Sequence, residues 1–317
     1  MWQRRLAELL ATEIDELLSP LSDTVELFSL VQESLTEVIQ RLTDEKGHHH
    51  PWPLLPLIVC EAISGRYERV IPAATALQLF MVAGDIFDDI EDADSSDSLP
   101  ARYGSAIATN IATTILFLAE KAITRLKERN VDDNLIVRVM DVINLSFITT
   151  CTGQHLDLSL ILEANLSEDT YLKIADMKTA STTRCACHIG ALLATEHQDL
   201  VDTFVKFGHN LGIASQIAND IQGIIHGSDI LNRKVTLPVI YALSHADKET
   251  QNQLKSIFGE KSEAVPNSAQ IKELLFNSGA IHYATIQMEL YKQQSLDILS
   301  VIEAEGISIE RLRLFLE

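Results

Sequence analysis

Apolar residues recur at intervals of three and four along most of the chain, which is the pattern of amphipathic helices. Glycine and proline, which interrupt helices, contribute only 13 and 8 of the 317 residues. No segment shows the sustained alternation of a half-buried strand. The pattern therefore predicts an all-α fold, with helices at residues 3–18, 24–44, 53–63, 69–92, 104–129, 132–159, 168–193, 198–224, 235–246, 249–258, 268–278, 280–303 and 307–316.

The breaks between these helices are short and polar. They fall at Gly47 with the His/Pro run after it, at residues 94–100, and at residues 227–229. None resembles an interdomain linker, and no repeat of fixed period is present. We therefore expect one helical domain over residues 1–317. The run His48–His50 is flanked by proline, and adjacent side chains do not converge on one ion, so we interpret it as a surface loop.

The net charge of −20 excludes nucleic acid as a favoured partner, because no basic stripe offsets the repulsion of phosphates. An anionic substrate would need bridging cations and a few local lysines. The cysteines lack the paired spacing of a zinc site and are interpreted as reduced structural thiols. The N-terminus has no secretion-signal pattern, and no run of about eighteen uninterrupted apolar residues occurs, so we expect a cytoplasmic protein without an integral membrane segment.

Four aspartates fall within two predicted helical turns: Asp85, Asp88, Asp89 and Asp92. Side chains three and four residues apart share a helix face, so these like charges repel unless cations neutralise them. Mg²⁺ fits, since it binds one or two carboxylates while substrate phosphate oxygens complete its coordination. Most charge runs, however, are solvated helix ends. The apolar run before this one favours the functional interpretation, because it places the acids at the end of a buried helix.

Further polar residues occur within later apolar helices. Each alone is weak evidence for a functional site, because a mid-helix polar residue is more often a core group whose hydrogen bonds are satisfied. Asparagine and aspartate oxygens both bind Mg²⁺, and lysines supply the cations that a diphosphate needs. The candidates are Gln154 and Asp157, Lys178 with Thr179, the group Gln216, Asn219 and Asp220, and Lys234 within the segment 229–238.

In order, DDIED, GQHLDL, KTA, QIAND and SDILNRKVTLP resemble the motifs of the trans-isoprenyl diphosphate synthases, or polyprenyl synthetases, across residues 50–245. The resemblance implies an isoprenoid synthase bundle of antiparallel helices around a deep central cavity, usually as a homodimer. It also implies ionisation of an allylic prenyl diphosphate, with Mg²⁺ as cofactor and three ions bound together with the substrate.

The resemblance also assigns roles by position. It places Mg²⁺ and catalysis at Asp88, Asp89, Asp92, Asn219 and Asp220. It assigns diphosphate contacts to Lys178, Lys234 and Gln216, and support of the metal shell to Gln154 and Asp157. Arg102 is added as a candidate diphosphate contact because it is the only cation near the first motif. The substrate pocket is expected at Phe80, Ala83, Gly84 and Thr179.

Three departures from the family pattern bear on the reaction. The second acidic motif reads NDIQG at residues 219–223, so two of its three acids are missing. The arginine pair after the first motif is absent, with Arg102 the only nearby cation. Residues 48–53, HHHPWP, replace the glycine-lysine segment that binds isopentenyl diphosphate in elongating enzymes. Losing each charged contact to phosphate costs about 1.5–3 kcal/mol, so chain elongation is disfavoured.

Several functions fit this combination of motifs. Our first hypothesis is a terpene-synthase-like lyase that uses one allylic diphosphate and no isopentenyl diphosphate. The alternatives are prenyl transfer to a peptide tryptophan or another nucleophile, as in the bacillus pheromone-modifying enzymes that this chain also resembles, and ordinary chain elongation. A non-catalytic partner subunit is a further alternative, although such subunits generally lose the first acidic motif, which this chain keeps.

The family resemblance implies a long substrate pocket. In the family, the residues four and five positions before the first aspartate form the wall beneath the reacting carbon, and here they are Gly84 and Ala83. Small residues leave space as far as Phe80, which predicts a tail of about fifteen to twenty carbons or longer. The alternative is that both residues only permit close helix packing.

Overall fold

A computed structural model describes residues 2–21, 23–43, 52–92, 98–159, 167–259 and 267–317, with side chains to residue 36 in the second range and 91 in the third. Within these ranges the chain is helical and contains no strand, which confirms the all-α prediction. The expected loop at His48–His50 lies outside them. The helices are α1 Trp2–Leu17, α2 Val25–Thr43, α3 Leu55–Ser64, α4 Ile71–Asp92, α5 Leu99–Tyr103, α6 Ser105–Thr124, α7 Asp133–Leu158, α8 Glu168–Ala175, α9 Ser181–Leu192, α10 Gln198–His226, α11 Ser228–Leu231, α12 Leu237–His245, α13 Lys248–Phe258, α14 Ser268–Asn277, α15 Ala280–Ala304 and α16 Glu310–Arg313.

Most predicted helices are present within a few residues of their expected ends, and the differences are local. The helix expected at 104–129 becomes a 3₁₀-helix at Arg125–Arg129, and the one expected at 307–316 is α-helical only at Glu310–Arg313. The sequence did not predict α5 or α11. The helix expected at 168–193 is interrupted by the π-helical turn Asp176–Ala180. Apolar spacing does not reveal such a turn, because it changes the hydrogen-bond register only locally.

Local chemistry explains where several helices begin and end. The side chains of Asp132, Ser167 and Asp247 accept hydrogen bonds from the first backbone N–H groups of α7, α8 and α13. Helices α3 and α10 end at Gly65 and Gly227, whose φ angles of 72° and 93° favour glycine. The chain therefore turns after α10 at the break that the sequence predicts, and this turn leads into the candidate site.

Helix α10 organises the packing, since it lies against α9 on one side and α15 on another, while α4 packs along α6. Phe204 and Phe207 of α10 are both 0% exposed. The main apolar core is built largely from α1, α3, α4, α6, α9 and α10, and two smaller clusters link α10 to α12 and α15. Because α4 is buried over most of its length, its acidic end is held at the edge of this core.

All four cysteines are free thiols. Cys60, Cys185 and Cys187 are buried, whereas Cys151 of α7 is exposed. Burial raises the pKa of the Cys60 thiol to about 11 and that of Cys185 to about 12, so both stay protonated at neutral pH. The buried cysteines therefore act as small apolar side chains.

Three helical stretches are long and apolar enough to cross a membrane by length and composition alone: Ile71–Glu91, Ser105–Arg129 and Asp133–Leu158. The apolar window of the first is 72% buried inside the bundle, but that of the third is only 11% buried. Helix α7 therefore carries an apolar face that the described part of the chain does not cover. The expectation of no membrane segment stays a prediction.

Two glycines allow neighbouring helices to approach the backbone of the π-helical turn. A Cβ atom on Gly153 of α7 would lie 2.6 Å from the nitrogen of Lys178. One on Gly212 of α10 would lie 2.5 Å from the Cα of Ala180. A side chain at either position would have to displace backbone atoms, so both glycines set the position of the turn.

We expect Gly153→Ala and Gly212→Ala each to lower the free energy of unfolding by about 1–3 kcal/mol, because the added methyl group overpacks a close contact. Urea unfolding measures this. Gly84→Ala on α4 is the matched control, since its added Cβ would meet nothing within 4 Å. Alanine also favours a helix over glycine by about 1 kcal/mol, so the control should be at least as stable as the wild type. Equal stability of all three variants would contradict the proposed packing.

Candidate active site

Lys178, in the π-helical turn, joins the first acidic cluster to α7. Its Nζ lies 3.0 Å from an oxygen of Asp157 and 3.3 Å from an oxygen of Asp88, at the end of α4. Burial alone would lower the pKa of Lys178, but the carboxylates of Asp157 and Asp88 raise it overall. Lys178 is therefore a cation at neutral pH. Three segments distant in sequence meet at this ammonium group.

Asp220 of α10 is the buried acid of the site, with 5% of its surface exposed. Its carboxylate accepts hydrogen bonds of 2.6 Å from the hydroxyl of Tyr171 and 2.7 Å from the amide of Gln216. Thr179 of the π-helical turn donates to the side-chain oxygen of Gln216. Burial raises the pKa of Asp220 to about 7, against the lowering effect of these hydrogen bonds. A nearby cation would offset the cost of its charged form.

A cleft of about 430 Å³ opens between α7, α8, α10 and the turn that follows α10. Six residues predicted from the sequence line it, and Asp88 is connected to it through Lys178. The cleft therefore combines carboxylates with cations, as a metal-bridged anion requires. The predicted residues in its wall are Asp157, Lys178, Gln216, Asn219, Asp220 and Lys234.

The rest of the first acidic cluster is only partly described. Asp89 lies beside Asp88 on α4 and is partly exposed. The backbone of α4 is described to Asp92, whose side chain lies outside the described part of the chain. The roles of Asp89 and Asp92 stay predictions.

Two predicted site residues contact other acids. Arg102 forms an ion pair with Glu33 of α2 and is not among the residues that line the cleft. In a chain with a net charge of −20, an arginine near a helix end readily finds a carboxylate. Gln154 donates a 3.0 Å hydrogen bond to Glu91 of α4, so it links α7 to the first acidic cluster.

The predicted pocket residues on α4 differ in what surrounds them. Ala83 is 0% exposed, whereas a Cβ on Gly84 would meet nothing within 4 Å. Phe80 stacks on Phe147 of α7 with ring centroids 4.7 Å apart. Open space therefore adjoins Gly84, and a larger side chain at Ala83 would disturb packing.

Sequence reasoning missed several residues that line the cleft. Tyr171 gave no signal, because a lone tyrosine in an amphipathic helix usually belongs to the core. The other polar lining residues that were missed belong to the segment 229–238, in which only Lys234 was predicted. They are Asp229, Asn232, Arg233 and Thr236.

The donors present fit Mg²⁺ that shares its coordination with a substrate. Among the described residues, no group of three or more His, Cys, Asp or Glu side chains is close enough to hold an ion alone. Carboxylate and amide oxygens instead come from separate helices. Asn219 and Asp220 of α10 line the cleft, and Asp88 of α4 forms an ion pair with Lys178 of the cleft wall. Mg²⁺ is commonly held in this way, by one or two carboxylates together with phosphate oxygens.

Residues 32–275 match the family model of the polyprenyl synthetases. The chain belongs to the polyprenyl synthetase family. Prenyl synthetases of this family use Mg²⁺, and the chain is accordingly an enzyme of the prenyltransferase type.

Two curated relatives of this polyprenyl synthetase have different activities. Geranylgeranyl diphosphate synthase of Methanosarcina mazei is 26% identical, over 91% of this chain and 87% of the relative. Tryptophan prenyltransferase ComQ of Bacillus spizizenii is also 26% identical, over 82% of this chain and 90% of the relative. The crystal structure of geranylgeranyl pyrophosphate synthetase from Pyrococcus horikoshii Ot3 superposes with a TM-score of 0.84, at 23% identity, covering 99% and 94% of the two chains. This last likeness shows the fold.

The raised pKa of Asp220 predicts a pH-dependent loss of stability in the metal-free protein. The carboxyl group of Asp220 has a higher pKa in the folded protein than in the unfolded chain, so its protonated form stabilises the fold. This stabilisation is complete below the unfolded pKa of 3.8 and is lost as the pH rises through about 7. Asp220→Asn mimics the protonated group. We expect its gain in unfolding free energy over the wild type to be larger at pH 8 than at pH 5, by about 1–3 kcal/mol.

Chemical unfolding in EDTA at the two pH values measures this difference. Asp297→Asn, at an exposed carboxylate of α15, is the control and should show no such change. An equal effect of Asp220→Asn at both pH values would argue against a buried, titrating carboxyl group.

Proposed function

We propose that this polyprenyl synthetase ionises an allylic prenyl diphosphate in a Mg²⁺-dependent reaction and does not require isopentenyl diphosphate. The observation that carries the first part is the ion-pair bridge of Lys178 between Asp88 and Asp157, at the cleft that also contains Asp220 and Lys234. Acids from α7 and α10 and cations from two further segments thus line the cleft, and Asp88 of α4 is joined to it through Lys178. This arrangement suits a diphosphate held through metal ions.

Asp88, Asp89 and Asp92 would hold Mg²⁺ on one side, and Asn219 and Asp220 on the other, with three ions in the substrate complex. Metal ions held by these residues would supply positive charge to the diphosphate and so stabilise the charge that develops on the leaving oxygen as the carbon–oxygen bond breaks.

The two lysines supply the protein's own positive charge. Lys178, with its raised pKa, stays protonated and neutralises diphosphate oxygens, and Lys234 does so from the turn after α11. The bonding electron pair leaves with pyrophosphate, and an allylic cation remains. Thr179 donates a hydrogen bond to Gln216, which in turn donates one to Asp220, so these two side chains orient the Asp220 carboxylate.

Two features support a reaction without isopentenyl diphosphate. Residues 48–53 contain no lysine or arginine where elongating relatives bind this co-substrate. Arg102, the cation that follows the first acidic motif most closely in sequence, is paired with Glu33. The cation would then be quenched within the substrate by cyclisation, deprotonation or water, as in terpene-synthase-like lyases.

The second candidate function is prenyl transfer to a tryptophan of a peptide. The similarity to ComQ, which extends over 90% of that relative, favours it. Both candidates share the ionisation step and differ in what captures the cation.

The uncovered face of α7 supports a homodimer. Val137, Leu145 and Ile148 are each more than 60% exposed and fall on one side of the helix. Burial against a second copy would remove this apolar surface from water without a membrane. Sedimentation at about twice the 35.2 kDa chain mass would support the dimer, and sedimentation as a 35.2 kDa species would refute it.

Purified protein incubated with Mg²⁺ and farnesyl or geranylgeranyl diphosphate alone should release pyrophosphate together with a hydrocarbon or alcohol. Asp88→Ala should reduce the rate by about a hundredfold or more, because it removes a metal ligand and a partner of Lys178. Asp297→Asn is the control and should retain the rate.

Parallel reactions separate the alternatives. Turnover only after isopentenyl diphosphate is added would identify a chain-elongating synthase, and turnover only with a tryptophan-containing peptide would identify a peptide prenyltransferase. Failure under all three conditions would favour a non-catalytic subunit.

The open space beside Gly84 predicts control of tail length from this position. Gly84→Phe should lower kcat/KM for a twenty-carbon diphosphate relative to a ten-carbon one by about tenfold, since the ring fills the space that the tail needs. Gly84→Ala should retain the wild-type preference. Ala83→Phe, at a fully buried position, should lower stability first. An unchanged ratio in Gly84→Phe would place the tail elsewhere.

A further inference from the structure

Asp176 is the first residue of the π-helical turn, and the mechanism proposed above does not use it. Its Oδ1 lies 2.9 Å from Nδ1 of His209 on α10 and accepts a 3.0 Å hydrogen bond from the guanidinium group of Arg184 on α9. The side chains of all three residues are between 31% and 37% exposed. One partly buried carboxylate therefore connects the turn to both helices.

The charge of Asp176 strengthens these contacts. The hydrogen bond with His209 is the main cause that lowers the pKa of Asp176, and the charge of Arg184 lowers it further, against the effect of burial. The carboxylate is therefore ionised at neutral pH. An ionised carboxylate only accepts hydrogen bonds, so Nδ1 of His209 carries the hydrogen between them. Hydrogen bonds to an ionised group are stronger than those between neutral groups, so Asp176 holds the turn more firmly than a neutral side chain would.

Lys178 lies two residues after Asp176 in the same turn. Side chains at this spacing do not share a face of a helix. Accordingly, Asp176 contacts α9 and α10, whereas the ammonium group of Lys178 contacts Asp88 of α4 and Asp157 of α7. Because only Met177 separates the two residues, a displacement of Asp176 would also move Lys178.

The remaining contacts with the turn lie closer to its end. Gly212 lets α10 approach the turn at Ala180, but it has no side chain that could hold the turn there. The hydroxyl of Ser181 donates to the carbonyl of Met177 at 2.7 Å, which supports the turn from within its own segment. The beginning of the turn is therefore fixed to α9 and α10 by the side chain of Asp176.

We propose that Asp176, held by His209 and Arg184, is a positioning residue that keeps Lys178 in place to bind the diphosphate. Asp176 is not among the residues that line the cleft, so it acts through Lys178 and not by contact with the substrate. The proposal rests on the diphosphate-binding role proposed above for Lys178, and it extends the site to a charged cluster outside the cleft.

Calorimetry of inorganic pyrophosphate binding to the full chain in the presence of MgCl₂ tests the proposal without turnover. Asp176→Leu removes both hydrogen-bond contacts at a similar side-chain volume. We expect it to weaken the pyrophosphate affinity by about tenfold, because a small displacement of Lys178 disrupts its contact with the ligand. Lys178→Gln should weaken the affinity by about tenfold or more, since it removes the charged contact itself.

A double-mutant cycle separates positioning from a general structural role. If Asp176 acts through Lys178, adding Asp176→Leu to the Lys178→Gln variant should change the pyrophosphate affinity by less than about twofold. Fully additive losses would overturn the proposal, because they would show that Asp176 affects binding independently of Lys178.

Glu13→Met is the matched control. Glu13 of α1 is also an acid between two cations, with Arg125 at 3.2 Å and Arg129 at 3.0 Å, but it contacts neither the π-helical turn nor the cleft. The control should lower the free energy of unfolding in urea, because it leaves two arginines without their acid, and it should retain the pyrophosphate affinity. An equal loss of affinity in this control would overturn the proposal, since general destabilisation would then explain both losses.

Two variants of His209 test the same contact if circular dichroism shows that Asp176→Leu does not fold. His209→Asn keeps a donor near the position of Nδ1 and should retain the pyrophosphate affinity to within about twofold. His209→Leu removes the donor and should weaken the affinity by about fivefold. Equal affinities of these two variants would overturn the proposal.

The outcomes distinguish this proposal from the proposed function. A wild-type protein that binds no pyrophosphate with Mg²⁺ would refute both. Wild-type affinity in Lys178→Gln would refute the role of Lys178 and the role of Asp176 that rests on it. A weakened Lys178→Gln variant together with wild-type affinity in Asp176→Leu would overturn only the role of Asp176.

Discussion

The structure of the site depends on the close approach of α7 and α10 to the π-helical turn Asp176–Ala180. The turn carries Lys178 towards the acids of α4 and α7, and Thr179 towards Gln216 of α10. Because the approach is a contact between backbones, it leaves little freedom to adjust. A shift of about 1 Å at the turn would separate Lys178 from two carboxylates and break the hydrogen bond to Gln216, so packing and chemistry are coupled at one place.

The charged groups of the site in this polyprenyl synthetase lower the free energy of unfolding. A buried carboxyl group with a raised pKa, such as that of Asp220, opposes folding when it ionises. The cost of ionising Asp220 arises beside a cleft lined by Lys178 and Lys234. A metal–diphosphate complex bound in this cleft would stabilise the ionised carboxylate and so offset the cost. The overall acidity of the chain then matters little to an anionic substrate, because the local cations and metal ions determine the field that it meets.

The periodicity of apolar residues was sufficient to predict most of the helices, because most of them bury an apolar face, and several begin at a capping side chain or end at a glycine. The positions Asp157, Lys178, Gln216, Asn219, Asp220 and Lys234, which line the cleft, could be selected from the order of the motifs, although each polar residue alone is weak evidence. The π-helical turn was not predictable, because it changes the hydrogen-bond register only locally, and the glycines that allow α7 and α10 to approach it lie more than twenty residues away along the chain. Arg102 was chosen because it is the only cation near the first acidic motif in sequence. Its ion pair with Glu33 joins two distant helices, which spacing along the chain does not reveal, and its role at the diphosphate stays a prediction.

The contacts of Gly153 and Gly212 with the π-helical turn restrict how this sequence can diverge. A Cβ atom at either position would lie within 2.6 Å of backbone atoms of the turn, which cannot move aside as the end of a side chain can. Replacing either glycine would displace the turn together with Lys178 and Thr179. We therefore expect both glycines to persist in any descendant sequence that keeps the site, even though neither glycine carries a group that could touch a substrate.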